Sequence, residues 1–455
     1  MAEAQTSGIT QQFADFVIEL AYQDLPPEII ECAKNGILDF LGVALLGSQD
    51  ESARMILQSS GNSGGAATVL GTDTQTTPTQ AAMVNSYAAH ALDYDDTQHD
   101  CGTHISAPVL GAALASAEAC RGSGKDLIAA YVAGFEVGCR LGRVARFGDY
   151  LQTRGVHGTG FLGHFGAVAA AAKPMNLKAL QMRRAFGIVA AQAAGLLRSF
   201  GTMCKPLHAA NAAHNAVRSA LLARQGFTGP DDIFEGKNNI FEVFGGRTDP
   251  VHLVQGLGRQ FEISRNTIKA YACAGGRNPV IEAMVLLAEQ HVLQPHDVSA
   301  IQVWLWPHLM STPNYPQPRT GLESKFSTEY AAAVGLTDHA GGINQFTDER
   351  VADSWLAALC RRVTVTADEQ LEQYQVRVLI RTCDGREFSH FIPAQKGDPR
   401  NPLSHDELVA KFRANALTAL PEGQVQRLAA MVRDLETVTD IAELTRLCRP
   451  GQMAS

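Results

Sequence analysis

Apolar residues recur every three or four positions through most of residues 1–262, which is the spacing of helices that bury one face. Pro26 and Pro27 open one such segment, as prolines do in the first turn of a helix. Ser106 is predicted to cap a helix that runs to about residue 119. Since alanine and glycine are frequent, we expect the helices to pack closely. Further helices are predicted at residues 83–92, 127–139, 162–172, 182–197 and 209–223.

A different pattern begins after residue 262. Apolar side chains at positions 301, 303 and 305 alternate with their neighbours, which is typical of a strand. Two more predicted strands flank Asp384 and Gly385, a dipeptide that is a strong signal for a hairpin. The strands other than the first are predicted at 363–366, 376–380 and 387–392, and the helices at 279–289, 324–336, 405–416 and 422–435.

We therefore predict a mainly α protein with a large all-helical domain and a smaller α+β domain. The helical domain spans residues 1–262 and is completed by 402–455, because that last segment is too short to fold alone. The α+β domain spans residues 263–401. A chain of 455 residues is too long for one compact core and agrees with two domains.

Composition and charge narrow the class of function. Apolar residues make up 45% of the chain and charged residues 18%, as in globular proteins. The net charge of −8 provides no basic field for nucleic acid. No run of about 18 apolar residues predicts a membrane span, and the N-terminus lacks the regions of a signal peptide. We therefore expect a cytoplasmic protein that binds neither nucleic acid nor membrane.

The nine cysteines are scattered along the chain and contain no Cys-x-x-Cys pair. This distribution indicates a reducing compartment and favours neither a disulfide framework nor a zinc module. It also argues against an iron–sulfur hydratase, because clustered thiolate ligands are missing.

The densest polar segment covers residues 90–104, HALDYDDTQHDCGTH. On a continuous helix, His90, Asp93 and Thr97 would share one face. A carboxylate beside a histidine fixes its tautomer and raises its basicity, which favours a general base. A helix end decorated with acids is one alternative. A metal site is another, although its spacing fits no standard ligand template. Its ligands would be Asp95, Asp96, His99 and His104.

The segment from Tyr150 to Gly163 contains Arg154, His157 and a formal Gly-x-Gly-x-x-Gly match. We reject a dinucleotide site, because no strand precedes the glycines and the expected downstream acid is absent. A tight turn into a small-residue helix is predicted instead. The free N–H groups at such a helix start suit a substrate carboxylate, and a plain helix–helix turn is the alternative.

Cationic residues stand out in further segments. Lys205 lies between a glycine and a proline in an apolar, alanine-rich region, where a buried ammonium needs an anion. Lys269 and Arg277 flank Tyr271 and a double glycine at the head of a predicted helix, a pattern that suits anion binding. A surface loop is the alternative in each case. The segment from Lys325 to Tyr330, before another helix, is explained equally well by core packing.

Taken together, these segments resemble the MmgE/PrpD family. The resemblance runs in order through nearly the whole chain and includes the hairpin and the Asn-Pro-Leu at 401–403. It implies a helical domain built from both chain ends, an α+β lid, a homodimer, a site between the domains, and no metal or organic cofactor. The other matching blocks are residues 90–97, 155–160, 201–208 and 325–330.

The family includes 2-methylcitrate dehydratase, cis-aconitate decarboxylase and iminodisuccinate epimerase, so the resemblance also implies site residues. The implied catalytic residues are Asp93, His104, His157, Lys205 and Tyr330. The implied substrate-binding residues are Thr97, Tyr150, Arg154, His208 and Lys269, of which Tyr150 and Arg154 match positions of the epimerase branch.

Two positions depart from the family pattern. The loop from His99 to His104 is one residue longer than in the decarboxylase-like pattern, so either histidine fits the role. Asn278 stands before a proline where many relatives have histidine, so one acid/base group of those relatives is missing.

We predict a cofactor-independent enzyme that moves a proton at the carbon next to a carboxylate of a small di- or tricarboxylate. Cations neutralise the carboxylates, a histidine oriented by Asp93 carries the proton, and Tyr330 serves as the acid on the opposite face. A dehydratase-like or decarboxylase-like lyase is favoured. A dicarboxylate epimerase and a non-catalytic binding homologue are the alternatives.

Overall fold

The computed structural model describes residues 8–59, 61, 64–143, 147–245 and 250–451. Residues 1–7, on which the expected absence of a signal peptide partly rests, lie outside them. Among the described residues, no helix combines the length and the apolar character that crossing a membrane requires.

The larger part of the molecule is a set of packed helices. Its centre is built from small residues, because α5 is buried from Ser106 to Glu118 and α8 is buried along its whole length. The helices are α1 Ile9–Glu19, α2 Pro27–Gly47, α3 Glu51–Ser59, α4 Pro78–Ala91, α5 Ser106–Ala119, α6 Gly124–Arg143, α7 Phe147–Thr153, α8 Gly158–Ala172, α9 Ala179–Ala190, α10 Cys204–Arg224, α11 Ile240–Phe244 and α12 Pro250–Val254.

Helices α6 and α8 cross at a pair of glycines. A Cβ atom built on Gly134 would lie 2.6 Å from the carbonyl oxygen of Gly166, and one built on Gly166 would lie 2.7 Å from that of Gly134. No side chain fits at this distance. Because glycine has no side chain, the two helix backbones can come into contact here. The expected close packing of the helices is found here.

Replacing Gly166 by alanine should therefore destabilise the protein. The added methyl group clashes with backbone that cannot move freely, and overpacking of this kind costs about 1–3 kcal/mol. Chemical denaturation would measure the loss. Gly423 is a matched control, because it is also helical, but beyond its chain neighbours and its own helix backbone no atom of the described residues lies within 4 Å of a built Cβ. Gly423→Ala should be neutral or stabilising by about 0.4–1 kcal/mol. Equal effects at the two positions would contradict the crossing argument.

The smaller part is the lid, an α+β unit around one sheet. The strands of the chain are β1 Ala67–Thr68, β2 Gln75–Thr76, β3 Thr97–Gln98, β4 Asn266–Thr267, β5 Val298–Leu305, β6 Val363–Ala367, β7 Val376–Thr382 and β8 Glu387–Ile392. The lid sheet has the order β6-β5-β7-β8, with β5 and β6 parallel and the other pairs antiparallel. The lid helices are α13 Asn278–His291, α14 Gly321–Ser324, α15 Thr328–Asp338, α16 Asp348–Val351 and α17 Ser354–Cys360.

The fold class predicted from the sequence is confirmed, including the strands and the hairpin. β7 and β8 pair directly across the turn, where Gly385 adopts a φ of +88° that favours glycine. In β5, the apolar side chains at 301, 303 and 305 are buried as the alternation predicts.

The last helices return to the helical part. They are α18 His405–Ala416, α19 Glu422–Arg433 and α20 Ala442–Leu447. Lys411 on α18 forms a buried ion pair with Asp39 on α2, with 2.6 Å between Nζ and Oδ1. Lys34 on α2 donates to the carbonyl oxygen of Arg433 at 2.7 Å. Both ends of the chain thus pack together, while the domain boundaries at 262 and 402 stay predictions.

Several local predictions are wrong. α4 ends at Ala91, so Asp93 and Thr97 do not continue its face. The helix predicted over 182–197 ends at Ala190, and the one predicted over 324–336 is split into α14 and α15, because the Ser327 side chain caps α15.

Ser106 is not a helix cap. α5 begins at Ser106 itself, and its hydroxyl donates to the buried carboxylate of Asp96 and also contacts the Tyr131 hydroxyl. A buried carboxylate needs a donor, and this need outweighs capping at that position.

Candidate active site

A cavity of about 90 Å³ lies between the helical part and the lid. The helical part contributes Asp93, Thr97, Gly102, His104, Gln152, His157, Leu197, Phe200 and Lys205 to its wall. The lid contributes Ala274, Gly275, Gly276, Arg277, Leu309, Thr312, Pro313, Phe326 and Tyr374. One wall therefore combines two histidines, a carboxylate and a lysine, and the other carries an arginine.

The segment after α4 brings the lid to the site. Asp93 follows the helix end with a φ of +52°, a left-handed conformation that aspartate tolerates better than most residues. The chain then enters β3, which pairs with β4 at the start of the lid. This pairing brings Lys269, two residues beyond β4, beside Asp93.

Asp93 is held by two lysines. Lys269 Nζ lies 2.6 Å from Asp93 Oδ1 and donates to the Asp93 carbonyl oxygen at 2.8 Å. Lys205 Nζ, in the first turn of α10, lies 3.1 Å from Asp93 Oδ2. Burial alone would raise the pKa of Asp93, but Lys205, Lys269 and His104 hold it well below its usual value. The Asp93 carboxylate is therefore ionised. Asp93, Lys205 and Lys269 together carry a net positive charge.

Lys205 keeps hydrogen-bond donors for a ligand. Its contact with Asp93 is an ion pair without hydrogen-bond geometry, and its Nζ has no hydrogen-bond partner among the described residues. The side chain is buried beside the rings of Phe200 and Phe326. Burial lowers the pKa of Lys205, although Asp93 opposes this. A buried ammonium with free donors is suited to bind a carboxylate.

His104 carries a basic nitrogen at the cavity. Its Nδ1 lies 2.9 Å from the carbonyl oxygen of Asp96, which only accepts, so the neutral ring has its proton on Nδ1. Nε2 is then the basic atom and lies 3.7 Å from Asp93 Oδ1. Burial, and then the charge of Lys269, lower the pKa of His104 well below its usual value. The ring is therefore neutral near pH 7 and suited to accept a proton.

His157 is a second neutral imidazole at the cavity. It occupies the N-cap position of α8, at the turn that the glycine pattern predicts. Its Nδ1 lies 2.9 Å from Nδ1 of His208, so one ring donates and the other accepts. Burial, and then the charge of Lys205, hold the pKa of His157 well below its usual value. Burial also lowers the pKa of His208 to about 4.

His90 and Asp95 support His104 from the buried side. His90 Nδ1 lies 2.8 Å from Asp95 Oδ2, and His104 Nδ1 lies 3.5 Å from the same oxygen. Ligating atoms of these three residues lie within 4.8 Å of one another. The positive charge of Lys269, which acts on both Asp95 and His104, opposes a cation at this place. We interpret the group as a buried polar cluster, in which the hydrogen-bonded pair of His90 and Asp95 packs against His104.

The four ligands of the alternative metal site do not come together. Asp96 accepts hydrogen bonds from Ser106 and Asn266, and burial raises its pKa to about 7. His99 stacks on Tyr374 at 3.7 Å between ring centroids and does not line the cavity. Of the two candidate histidines in the longer loop, His104 is thus the one at the cavity.

Five predicted site residues do not line the cavity, and the first three of them are Tyr330, Arg154 and Tyr150. The Tyr330 hydroxyl donates to the carbonyl oxygen of Gln345 at 2.7 Å and lies outside the cavity wall, so its catalytic role stays a prediction. Arg154 is exposed, and its guanidinium binds the hydroxyl and ring of Tyr150. The substrate contacts assigned to Arg154 and Tyr150 stay predictions.

Lys269 and His208 lie one layer behind the wall. Lys269 contacts the wall residue Asp93, and His208 contacts the wall residue His157. Asn278 also lies outside the wall. Its side chain accepts from the backbone of Tyr271 and donates to that of Cys273, so it ties the loop before α13.

The sequence assigned no site role to several wall residues. Arg277 was recognised as a cation in an anion-binding pattern but was not assigned to the site. Gln152 lies in the segment from Tyr150 to Gly163, but nothing in that segment distinguishes it from its neighbours. Thr312 and Tyr374 stand outside the segments that the sequence singles out. Only their position in the fold brings them to the cavity.

Comparison with known proteins gives matches over nearly the whole chain. The model described as the MmgE/PrpD N-terminal domain matches residues 11–252, and the MmgE/PrpD C-terminal domain matches residues 271–437. The chain is 29% identical over 460 residues to cis-aconitate decarboxylase of Mus musculus, covering 97% of this chain and 93% of that protein. It is 29% identical over 469 residues to the Homo sapiens protein of the same name, covering 98% and 96%. It is 28% identical over 472 residues to cis-aconitate decarboxylase of Aspergillus terreus, covering 97% and 96%.

Proposed function

The chain belongs to the MmgE/PrpD family, and from this premise we propose a cofactor-independent lyase that acts beside a carboxylate of a small di- or tricarboxylate. Decarboxylation of a substrate resembling cis-aconitate is the favoured reaction, because the relatives named above are cis-aconitate decarboxylases. Dehydration of a hydroxylated tricarboxylate is the related alternative. The homodimer and the cytoplasmic location stay predictions from the sequence.

The observation that carries the proposal is that a buried ammonium, paired with Asp93 but with donors left over, lies beside a neutral imidazole on one cavity wall. Lys205 has donors for a carboxylate, and His104 has a basic Nε2 beside Asp93. A carboxylate bound at Lys205 would have its neighbouring carbon close to groups that give or take a proton. The positive charge of the lysines would also stabilise electron density that develops on that carboxylate.

The proposed decarboxylation needs few steps. The substrate carboxylate at Lys205 remains, another carboxylate leaves as CO₂, and the electrons of the broken C–C bond move into the carbon framework next to the retained carboxylate. A proton then closes the reaction at carbon. The added negative charge of a bound substrate favours protonated His104 or His157, so either ring can deliver this proton. In a dehydration, the neutral ring would instead remove the proton before water leaves.

A dicarboxylate epimerase is a second candidate, supported by one specific observation. His104 and His157 are both neutral, both line the cavity, and come from different elements. Two such bases are suited to remove a proton from one face of a carbon and return it to the other. Tyr330 does not take the second role in this version, because its hydroxyl is bound to Gln345.

Proton NMR in D₂O with a panel of dicarboxylates and tricarboxylates tests the proposal. We expect cis-aconitate to lose CO₂ and to incorporate solvent deuterium at one carbon. An alkene formed from a hydroxylated tricarboxylate would identify a dehydratase, and exchange with inversion of a dicarboxylate would identify an epimerase. Ligand binding without exchange or product in any case would reject an enzyme of this type.

The pH dependence of turnover should differ from that of an ordinary histidine base. Where a neutral ring removes the proton, as in the dehydration or the epimerisation, the lowered pKa of His104 and His157 should keep kcat/KM level as the pH falls through 6.5, with a decline only below it. Where a protonated ring delivers the proton, as in the decarboxylation, kcat/KM should instead rise as the pH falls toward that lowered pKa. The pKa of Lys205 lies below 10.5, so the alkaline decline should begin before that value. Rates would be corrected for ionisation of the free substrate, with thermal stability followed at each pH. An acid midpoint at or above 6.5 would contradict the assignment.

A further inference from the structure

The lid wall of the cavity contains a buried guanidinium. Arg277 ends the short helical turn Gly275–Arg277 that leads into α13, and its side chain is 4% exposed. It lines the same cavity as Lys205 and His104 but belongs to the other part of the molecule. Its charge therefore faces the site from the lid, whereas Lys205 faces it from the helical part.

No carboxylate among the described residues lies within ion-pair distance of Arg277. Its Nη1 donates to Thr312 Oγ1 at 3.1 Å and its Nη2 donates to the Pro313 carbonyl oxygen at 2.9 Å, both uncharged acceptors. Its Nε is buried and has no hydrogen-bond partner in the described part of the chain. Glu329 and Asp93 act on the Arg277 charge from beyond ion-pair distance, so the guanidinium is held in place without a directly paired carboxylate.

Arg140 is another buried arginine of the same fold and provides a comparison for Arg277. Its side chain is 1% exposed, and it pairs with the carboxylate of Glu136 four residues earlier on α6. Its other nitrogens donate to backbone carbonyl oxygens of Leu253, Gln255 and Gln260. Arg277 has equivalent burial but lacks the carboxylate.

An isolated buried cation is costly, and arginine does not relieve the cost by losing its proton. A counter-anion from solution is therefore required, and a carboxylate fits the planar fork of a guanidinium. The cavity is the place from which such an anion reaches Arg277. Since Lys205 already provides the site for one carboxylate, an anion at Arg277 would be a second.

We propose that Arg277 binds a second carboxylate of the substrate and thereby selects di- and tricarboxylates over monocarboxylates. The inference rests on the proposed function and adds a residue to it. The two carboxylates would be held by the helical part and by the lid, so the substrate would span the two walls. The reacting carbon would then be fixed against His104 from both sides.

The test compares Arg277→Gln with the wild type on two substrates. One is the carboxylate substrate that the NMR panel identifies, and the other has its remote carboxylate replaced by a neutral amide. The wild type should prefer the carboxylate by about 10- to 100-fold in kcat/KM, the range of hydrogen bonds to charged groups. Arg277→Gln should lose most of this preference, and Arg277→Lys should restore part of it.

The control is Arg381→Gln, an exposed lid arginine paired with Glu387, which should keep the full preference. If Arg277 only holds the loop at Thr312 and Pro313, the variant will lose thermal stability and activity on both substrates equally. That result, or an unchanged preference, would overturn the inference.

A binding measurement separates this inference from the proposed function. Calorimetry with propane-1,2,3-tricarboxylate and pentanedioate needs no turnover. If the wild type converts no polycarboxylate, the proposed function fails, yet Arg277→Gln should still weaken the tricarboxylate by about 10-fold or more. If turnover is found but the variant binds both probes as the wild type does, the inference about Arg277 alone fails.

Discussion

Replacing Lys205 by alanine should reduce kcat/KM by about 10²–10³-fold, the effect of removing one preorganised donor from a buried site. The variant loses the ammonium whose donors are free for a carboxylate, whereas Asp93 keeps Lys269 at 2.6 Å. The carboxylate of Asp93 therefore stays paired, and the protein should remain folded. Initial rates on the substrate from the NMR panel, with thermal denaturation of both proteins, would measure the two effects.

Lys34 provides the matched control. It is also a buried lysine, 7% exposed, and its Nζ lies 2.7 Å from Glu436, outside the cavity wall. Lys34→Ala should lower stability without a comparable loss of kcat/KM. A small alkylammonium ion added to Lys205→Ala should restore part of the activity, because it fits the space that the side chain leaves. Activity of the variant within a factor of a few of the wild type would refute the proposed role.

The sequence predicts the helical part well because its signal is local. Small residues such as those of α8 bury a helix on all sides, and the abundance of alanine and glycine predicts close packing without any knowledge of the partner. The structure places one such close contact at Gly134 and Gly166. The hairpin follows from one dipeptide in the same way. Such features depend only on a short stretch of sequence, so they can be predicted without knowledge of the tertiary contacts.

The errors fall where distant segments decide the local conformation. Ser106 has the sequence context of a helix cap, but its hydroxyl donates to Asp96. Helix α4 ends at Ala91 and does not extend to Thr97. At this point β3 pairs with β4, about 170 residues along the chain, and Lys269 binds Asp93. No local sequence pattern indicates a partner at that separation. The predicted helical face through Asp93 is therefore wrong.

The site itself was predicted in part for the same reason. His104, His157 and Lys205 stand in segments whose polar residues are unusual for their surroundings, and all three line the cavity. Tyr330 was placed at the site by its segment, yet its hydroxyl points to a backbone oxygen of a neighbouring turn. The direction of one side chain depends on packing around it, which the segment alone does not record.

Replacing Asp93 by asparagine should destabilise the protein by about 3–5 kcal/mol at pH 7, because it leaves two buried ammonium groups without their counter-charge. Lys205 and Lys269 both contact this carboxylate, at 3.1 and 2.6 Å. The backbone is not the cause, since asparagine tolerates the φ of +52° as aspartate does. Urea denaturation of the folded protein would measure the loss.

The pH dependence identifies the cause of that loss. In the variant, one ammonium releases its proton more easily in the folded than in the unfolded state, so the unfolded state binds more protons. Stability must then rise with pH, and the deficit should shrink toward the usual lysine pKa of about 10.4. Asp100→Asn is the control, because it breaks an exposed pair with Arg265 and should cost at most about 1 kcal/mol.

A second substitution completes the argument about Asp93. Adding Lys269→Met to Asp93→Asn removes one of the two unpaired ammonium groups, so the double variant should be more stable than Asp93→Asn alone. In the double variant, the loss of stability relative to the wild type should also depend much less on pH. A double variant that is less stable than either single variant, with an unchanged pH slope, would mean that lost packing, rather than unpaired charge, explains the effect.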